Sequence, residues 1–195
     1  MKAENIWIAH QCTARALSAR LQGLAILSVG DVAPEACHGS DCRRLWVPLL
    51  DDERVCIRDF WRAVDGLRAL ASCGADVLVT SSGGESRSSA VVVGWLLRDH
   101  PAVVASWLEV EHLLSDSPHP FLEAHRWFTE EDQQALSQVP RRLVEHSLFP
   151  ALCCCYRVLS ERFPYIACNP RMWVTLLTTQ EGMEGLMALG ERRAA

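Results

Sequence analysis

The sequence predicts an α/β protein in which helices cover a central sheet. Apolar residues make up 49% of the 195 positions, which is enough for a substantial core. Short apolar runs of the kind found in strands buried on both faces recur through the first 80 residues. Segments with apolar residues at helical spacing alternate with these runs, and such alternation is typical of layered α/β folds.

The predicted strands and helices follow one another along the first 115 residues. The strands are the apolar runs at residues 5–9, 24–29, 45–49 and 77–80. The helices are at residues 14–22, 57–72, 88–99 and 101–115. In the helix at 57–72, one apolar stripe is predicted to face the core, and it consists of Phe60, Trp61, Val64, Leu67 and Leu70.

A further helical segment is predicted after residue 138. Residues 139–195 carry too many apolar side chains to stay hydrated, so they are expected to pack on the sheet domain or on a partner protein. Pro150, Pro164 and Pro170 divide this segment into short helices. The predicted organisation is a domain at 1–138 followed by a C-terminal helical extension at 139–195.

A run of small residues separates the strand at 77–80 from the helix at 88–99, and it reads Ser81-Ser82-Gly83-Gly84-Glu85-Ser86-Arg87-Ser88. A loop of this kind presents backbone N–H groups to an anion at the positive end of the following helix dipole. Arg87 adds a planar guanidinium that can donate two hydrogen bonds to one oxyanion. We therefore predict that residues 81–88 form a phosphate-binding loop.

The same stretch resembles the signature loop of the dual-specificity branch of the protein tyrosine phosphatases, His-Cys-x-x-Gly-x-x-Arg-Ser. Gly84, Arg87 and Ser88 match this signature. Ser81 stands where the family has its nucleophilic cysteine, and Thr80 stands where it has the preceding histidine. The resemblance implies a dual-specificity-phosphatase-like central sheet flanked by helices, to which the C-terminal helical segment is an addition.

The serine at position 81 predicts a catalytically inactive protein. A cysteine thiol, with a pKa of about 8.5, is readily ionised at a helix N-terminus, whereas an aliphatic hydroxyl is a far weaker acid. A nucleophilic serine normally needs an adjacent general base, and none is evident in the loop. The resemblance also implies a general acid before the loop. Asp51 stands at that position beside Asp52, although an acidic run is equally typical of a solvated turn.

Phosphate binding does not require the nucleophile, because the loop amides, the helix end and Arg87 are all retained. The favoured hypothesis is a pseudophosphatase that binds a phosphorylated residue or acts as a protein-interaction scaffold. Glu85 makes the loop rim acidic, which favours a single phosphorylated side chain over a polyphosphorylated ligand.

Two alternatives remain open from the sequence. One is a structural subunit of a larger assembly with a vestigial loop. The other is an active phosphatase carrying a substrate-trapping Cys-to-Ser change at position 81. Thr80 argues against the trap, because trapping gives no reason to remove the histidine as well.

Composition limits the classes of molecule that this protein is expected to bind. The net charge of −5 and a pI near 5.8 argue against direct recognition of nucleic acid or of an anionic membrane. The seven tryptophans are suited to anchoring a protein partner, whether phosphorylated or part of a larger assembly. No spanning segment or signal pattern is evident, so a cytosolic or nuclear location is expected, with an organelle left open.

The nine cysteines form neither a disulfide framework nor paired metal-binding motifs, so reduced thiols are expected. The cluster from Cys37 to Cys42 has conceivable ligand spacing, but a single cluster of this kind is more typical of an ordinary loop. The sequence therefore predicts no metal site and no cofactor.

Overall fold

The computed structural model describes residues 5–18, 23–31, 33, 43–50, 56–114, 130, 134, 137, 149–167 and 169–179. The chain divides into two compact units, Met1–Val92 and Val93–Ala195. The strands and helices within the described ranges are β1 (Ile6–His10), α1 (Gln11–Ser18), β2 (Ala25–Ser28), β3 (Arg44–Trp46), α2 (Ile57–Ala71), β4 (Val77–Ser81), α3 (Arg87–Asp99), α4 (Pro101–Leu114), α5 (Phe149–Arg162) and α6 (Pro170–Thr178).

The first unit contains a sheet of four parallel strands in the order β1-β4-β2-β3. This arrangement, with the helices that pack on the sheet, confirms the predicted α/β fold. Because all four strands run in the same direction, their carboxyl ends lie at one edge of the sheet. The last residue of β4, Ser81, pairs with His10 of β1, and Thr80 pairs with Ser28 of β2.

The two faces of this sheet are covered by different helices. On one face, Ile26 and Leu78 cluster with Ala14 and Leu17 of α1. On the other face, α2 packs against Leu27 and Leu45, and Gly66 allows a close approach there, because a Cβ at Gly66 would lie 2.3 Å from a methyl carbon of Leu45. Neighbouring residues of a strand point to opposite faces, which places α1 and α2 on opposite sides.

The apolar stripe predicted for α2 is buried. All five predicted residues are in the core, and Phe60 contacts Trp61 edge-to-face with their ring centroids 5.2 Å apart. The helix spans Ile57–Ala71, against the predicted 57–72.

Two elements differ from the sequence prediction by three residues at one end. The first helix begins at Gln11 rather than at residue 14, because the His10 imidazole Nδ1 accepts a hydrogen bond from the backbone N–H of Cys12 in the first turn. The strand predicted at 45–49 is regular only over Arg44–Trp46. Pro48 has no N–H to donate and interrupts the ladder, although Leu49 still donates to the carbonyl of Val29.

The second unit has a helical core formed by α5 and α6. Trp173 contacts Phe149 and Tyr156 edge-to-face, at centroid distances of 5.9 and 5.7 Å. The Tyr156 hydroxyl donates to the carbonyl of Ile166 at 2.9 Å. Asn169 caps α6 by accepting hydrogen bonds from the first-turn amides. The predicted boundary between a domain at 1–138 and an extension at 139–195 stays a prediction.

The described part of the chain carries six thiols that form no disulfide. Cys12, Cys56 and Cys73 are exposed, whereas Cys153, Cys154 and Cys155 are buried in α5. Burial raises the pKa of Cys154 to about 12, so this thiol stays protonated. None of the described helices has the length and apolar character needed to cross a lipid bilayer. The cluster from Cys37 to Cys42 lies outside the described residues, and the described ones contain no group of side chains suited to a metal ion.

Candidate phosphate-binding site

The predicted loop lies between β4 and α3, at the carboxyl edge of the sheet. β4 is an inner strand, so the ends of β1 and β2 flank the loop on either side. Ligands of open parallel sheets bind at this edge, where strands end and helices begin. The loop therefore lies where the fold favours a ligand and where the first turn of α3 directs its N–H groups.

Gly84 is required by the geometry of the loop. It has a φ of +73°, a backbone conformation that side chains disfavour. A Cβ at this position would lie 2.5 Å from the backbone nitrogen of His10 and 2.7 Å from the carbonyl carbon of Ala9. Glycine thus allows the loop to fold tightly against the end of β1.

Ser81 belongs to a closed ring of three hydrogen bonds. The backbone N–H of Gly84 donates to the Ser81 hydroxyl at 3.2 Å, and the Ser88 hydroxyl donates to the carbonyl of Gly84 at 3.0 Å. The Ser81 and Ser88 oxygens are 3.2 Å apart. Because Ser88 uses its only hydroxyl hydrogen on Gly84, Ser81 is the donor to Ser88. The proton of Ser81 is therefore directed to a neutral hydroxyl, in a position where Ser81 is 1% exposed.

Thr80, which the resemblance aligns with the signature histidine, is hydrogen-bonded to the neighbouring strand. Its hydroxyl donates to the Ser28 hydroxyl at 3.3 Å, and both side chains are buried. This polar contact joins β4 to β2 immediately before the loop.

Arg87 is buried at the start of α3 and is 7% exposed. Its Nη1 donates to the carbonyl of Leu49 at 2.9 Å and to Oδ1 of Asp31 at 3.0 Å. The same carboxylate oxygen accepts a hydrogen bond from the Ser82 hydroxyl at 2.8 Å. The loop cation is therefore paired with a carboxylate of the same chain.

No family model and no curated protein matches the sequence. Among solved structures, human DUSP28 aligns with a TM-score of 0.53 at 17% identity, covering 97% of this chain and 96% of that chain. A mouse dual specificity phosphatase complexed with zinc tungstate aligns with a TM-score of 0.54 at 17% identity, covering 98% and 87%. DUSP15 aligns with a TM-score of 0.54 at 14% identity, covering 96% and 92%.

The chain has the dual-specificity phosphatase fold. At these identities the likeness extends to the fold alone, so the chemistry of the loop depends on this chain's own residues.

In this dual-specificity phosphatase fold, the other loop residues are more exposed to solvent than Ser81 and Arg87 are; they are Ser82, Gly83, Glu85 and Ser86. Gly83 and Glu85 are exposed, and the Glu85 carboxyl group lies next to Gly83, within 3.6 Å of where a Cβ would be. The carbonyls of Glu85 and Ser86 accept hydrogen bonds from the Ser89 hydroxyl, at 2.7 and 2.8 Å, which closes the first turn of α3. The predicted general-acid position, Asp51, lies outside the described residues together with Asp52.

Asp31 is a site residue that the sequence did not indicate. Hydrogen bonds from the Ser82 hydroxyl and from Arg87 hold the pKa of Asp31 below its ordinary value of 3.8. Asp31 is therefore ionised at neutral pH, although half of its side chain is exposed to solvent. The sequence feature that could have indicated Asp31 is its position shortly after β2, because the carboxyl end of this strand lies at the same edge of the sheet as the loop.

Proposed function

We propose that this protein is a catalytically inactive phosphatase-like protein that binds a phosphorylated side chain of a partner protein. The observation that carries the proposal is the hydrogen-bond ring at Ser81. In the described part of the chain, the Ser81 hydroxyl is bonded to the Ser88 hydroxyl and to the Gly84 amide, and neither group can act as a general base. A hydroxyl in this setting keeps its proton.

The same loop retains what a phosphate group requires. The N-terminus of α3 supplies a partial positive charge, and Arg87 supplies a guanidinium that matches phosphate geometry. The neutral Ser81 also places no negative charge beneath the ligand, whereas a thiolate would repel a dianion. Loss of the nucleophile is therefore compatible with binding.

Exposed apolar side chains beside the loop support a protein ligand. Trp46 is 42% exposed, and its indole N–H donates to the carbonyl of Gly30 at 2.9 Å, next to Asp31. Leu50, which is 48% exposed, follows the residue whose carbonyl binds Arg87. A phosphorylated side chain in the loop would bring its flanking peptide residues near these groups, and large apolar contacts of this kind anchor peptides.

Binding is tested by calorimetric titration with phosphotyrosine and phosphothreonine peptides and with their unphosphorylated forms. We expect saturable binding of a phosphorylated peptide that is weakened at least about tenfold by Arg87→Lys, which keeps the charge but loses the planar two-pronged donor. Arg68→Lys is the matched control, because Arg68 pairs with Asp65 on the surface of α2. Equal affinities of the wild-type and Arg87→Lys proteins would refute binding at this loop.

Inactivity is tested separately with a generic aryl phosphate. We expect the wild-type protein to release no more product than a buffer blank. Turnover that is abolished by Ser81→Ala would show that the serine is a working nucleophile, and would overturn the claim of inactivity without affecting the binding result.

A further inference from the structure

The ion pair between Arg87 and Asp31 affects how any anion reaches the loop. A guanidinium nitrogen Nη1 carries two hydrogens. In Arg87 one of them is directed to Asp31 and the other to the carbonyl of Leu49. An oxyanion therefore cannot bind to Nη1 unless one of these two contacts gives way.

Asp31 also engages a second group of the loop. Its Oδ1 accepts from the Ser82 hydroxyl as well as from Arg87, at 2.8 and 3.0 Å. A carboxylate that accepts hydrogen bonds from a loop hydroxyl and from the loop guanidinium makes the contacts that a phosphate oxygen would make. Asp31 is thus an anion already bound to the phosphate-binding loop.

The backbone that carries Asp31 is held in place on several sides. The N–H of Val29 donates to the carbonyl of Thr80 at 2.7 Å, and the carbonyl of Val29 accepts from the N–H of Leu49 at 3.2 Å. The Trp46 indole N–H donates a hydrogen bond to the carbonyl of Gly30. Gly30 also lies close to the loop, since a Cβ there would be 3.3 Å from the Ser82 hydroxyl. The carboxylate is therefore presented to Arg87 by a fixed backbone.

The two partners of this pair differ in their freedom to move. Arg87 is buried and also bonded to Leu49, whereas the Asp31 side chain is half exposed. Rotation of the Asp31 side chain into solvent would release the guanidinium without disturbing the core. The carboxylate is the partner that can leave.

We propose that Asp31 is an internal competitor for the phosphate-binding loop, bound to Arg87 and Ser82 in the resting protein and displaced by a phosphate group. This inference rests on the proposed function, because it concerns ligand binding at the same loop. The consequence is selectivity: the loop rejects weakly held anions and accepts a phosphate whose flanking peptide adds binding energy elsewhere.

The test compares the dissociation constants for inorganic phosphate of the wild-type protein, Asp31→Asn and Asp65→Asn, at constant ionic strength. Asp31→Asn removes the charge and keeps an oxygen that can accept from Ser82. Asp65→Asn makes the same change of net charge in an exposed pair on α2. We expect Asp31→Asn to bind phosphate about tenfold more tightly than the wild type, because like charges side by side are costly, and Asp65→Asn to bind as the wild type does.

A double variant tests whether the tighter phosphate binding of Asp31→Asn depends on Arg87. In the double variant Asp31→Asn with Arg87→Lys, the tighter binding should be lost, and circular dichroism checks that each variant is folded. A gain that persists without Arg87 would place the phosphate elsewhere and overturn the inference. Weaker binding in Asp31→Asn would also overturn it, because Asp31 would then be a positioning residue that aims Arg87 at the ligand.

The outcomes separate this inference from the proposed function. If the wild type and Asp31→Asn bind phosphate equally, the competitor is refuted and phosphate recognition still stands. If neither protein binds phosphate or a phosphopeptide, both proposals fail. If only Asp31→Asn binds inorganic phosphate, the competitor is supported, and the phosphopeptide titration decides whether the natural ligand displaces it.

Discussion

Single residues decide what this loop can do. Ser81 and Ser88 are joined through hydroxyl groups, and each has one hydrogen to donate. With a hydroxyl at position 81, the ring formed with Gly84 is satisfied while all its members are neutral. With a thiolate at the same position, the Gly84 N–H would donate to the charged sulfur, and the Ser88 hydroxyl would do so only by giving up the Gly84 carbonyl. The charge that this ring can hold therefore depends on the atom at position 81.

Replacing that atom gives the first prediction. In Ser81→Cys, the sulfur would accept a hydrogen bond from the Gly84 N–H at the N-terminus of α3. We expect the Ser88 hydroxyl to turn from the Gly84 carbonyl to the thiolate, and both contacts to lower the pKa of the thiol. The rate of alkylation by iodoacetamide, followed by mass spectrometry as a function of pH, reports this pKa for each cysteine. The exposed Cys12 of the same protein is the internal reference. A thiol at position 81 that titrates at or above Cys12 would show that burial outweighs the hydrogen bonds.

Gly84 allows a paired prediction with Gly74. Both residues have a φ of +73°, but a Cβ at Gly84 would contact the backbone of β1, whereas a Cβ at Gly74 would meet no atom within 4 Å. We expect Gly74→Ala to lower the free energy of unfolding by about 1 kcal/mol, the cost of the backbone conformation. Gly84→Ala should lower it by about 3 kcal/mol or more, because overpacking is added. Urea denaturation measures both, and equal losses would contradict the close approach of the loop to β1.

At the scale of elements, the junction of α3 and α4 contains a titratable group. His100 separates the two helices, its ring lies 4.2 Å from that of Trp95, and its Nε2 is buried with no hydrogen-bond partner among the described residues. The carbonyl of His100 accepts hydrogen bonds from the backbone N–H groups of Val103 and Val104 in the first turn of α4. Burial lowers the pKa of His100 from its ordinary value of 6.5, and the neighbouring Asp99 opposes this shift.

This junction predicts a dependence of stability on pH. A histidine whose pKa is lowered on folding binds its proton more readily in the unfolded chain, so its contribution to stability is complete above pH 6.5 and is lost as the pH falls towards the lowered pKa. We expect the free energy of unfolding to fall between pH 7 and pH 5. His100→Phe keeps a ring beside Trp95 and should flatten this dependence. Identical pH profiles for the two proteins would show that other groups cause the loss.

At the scale of the whole molecule, the described residues of the candidate site all belong to the first unit. The loop, Asp31 and the carbonyl of Leu49 lie within Met1–Val92, whereas α5 and α6 belong to the second unit. In the intact chain, the residues that a ligand protects will therefore show which of the two units binds it.

Hydrogen exchange provides that test. With a saturating phosphopeptide, we expect slower amide exchange at residues 29–31 and 81–88, because a ligand that binds the folded loop suppresses its local opening. The unphosphorylated peptide should leave these amides unchanged. Protection confined to α5 and α6 would show that the second unit binds the partner.

The sequence by itself determined the α/β fold and the small-residue loop between β4 and α3, because strand runs, helical stripes and glycine-rich turns are local patterns. It also contains a serine at position 81, where the signature that it resembles has a cysteine. Only the tertiary structure paired Arg87 with Asp31, which lies 56 residues earlier in the chain. The order β1-β4-β2-β3 brings the end of β2 beside β4, and this order depends on how the strands pair rather than on any local pattern. Contacts between distant segments follow from that pairing. The position of the Asp31 carboxylate beside Arg87 can therefore be seen only in the folded chain.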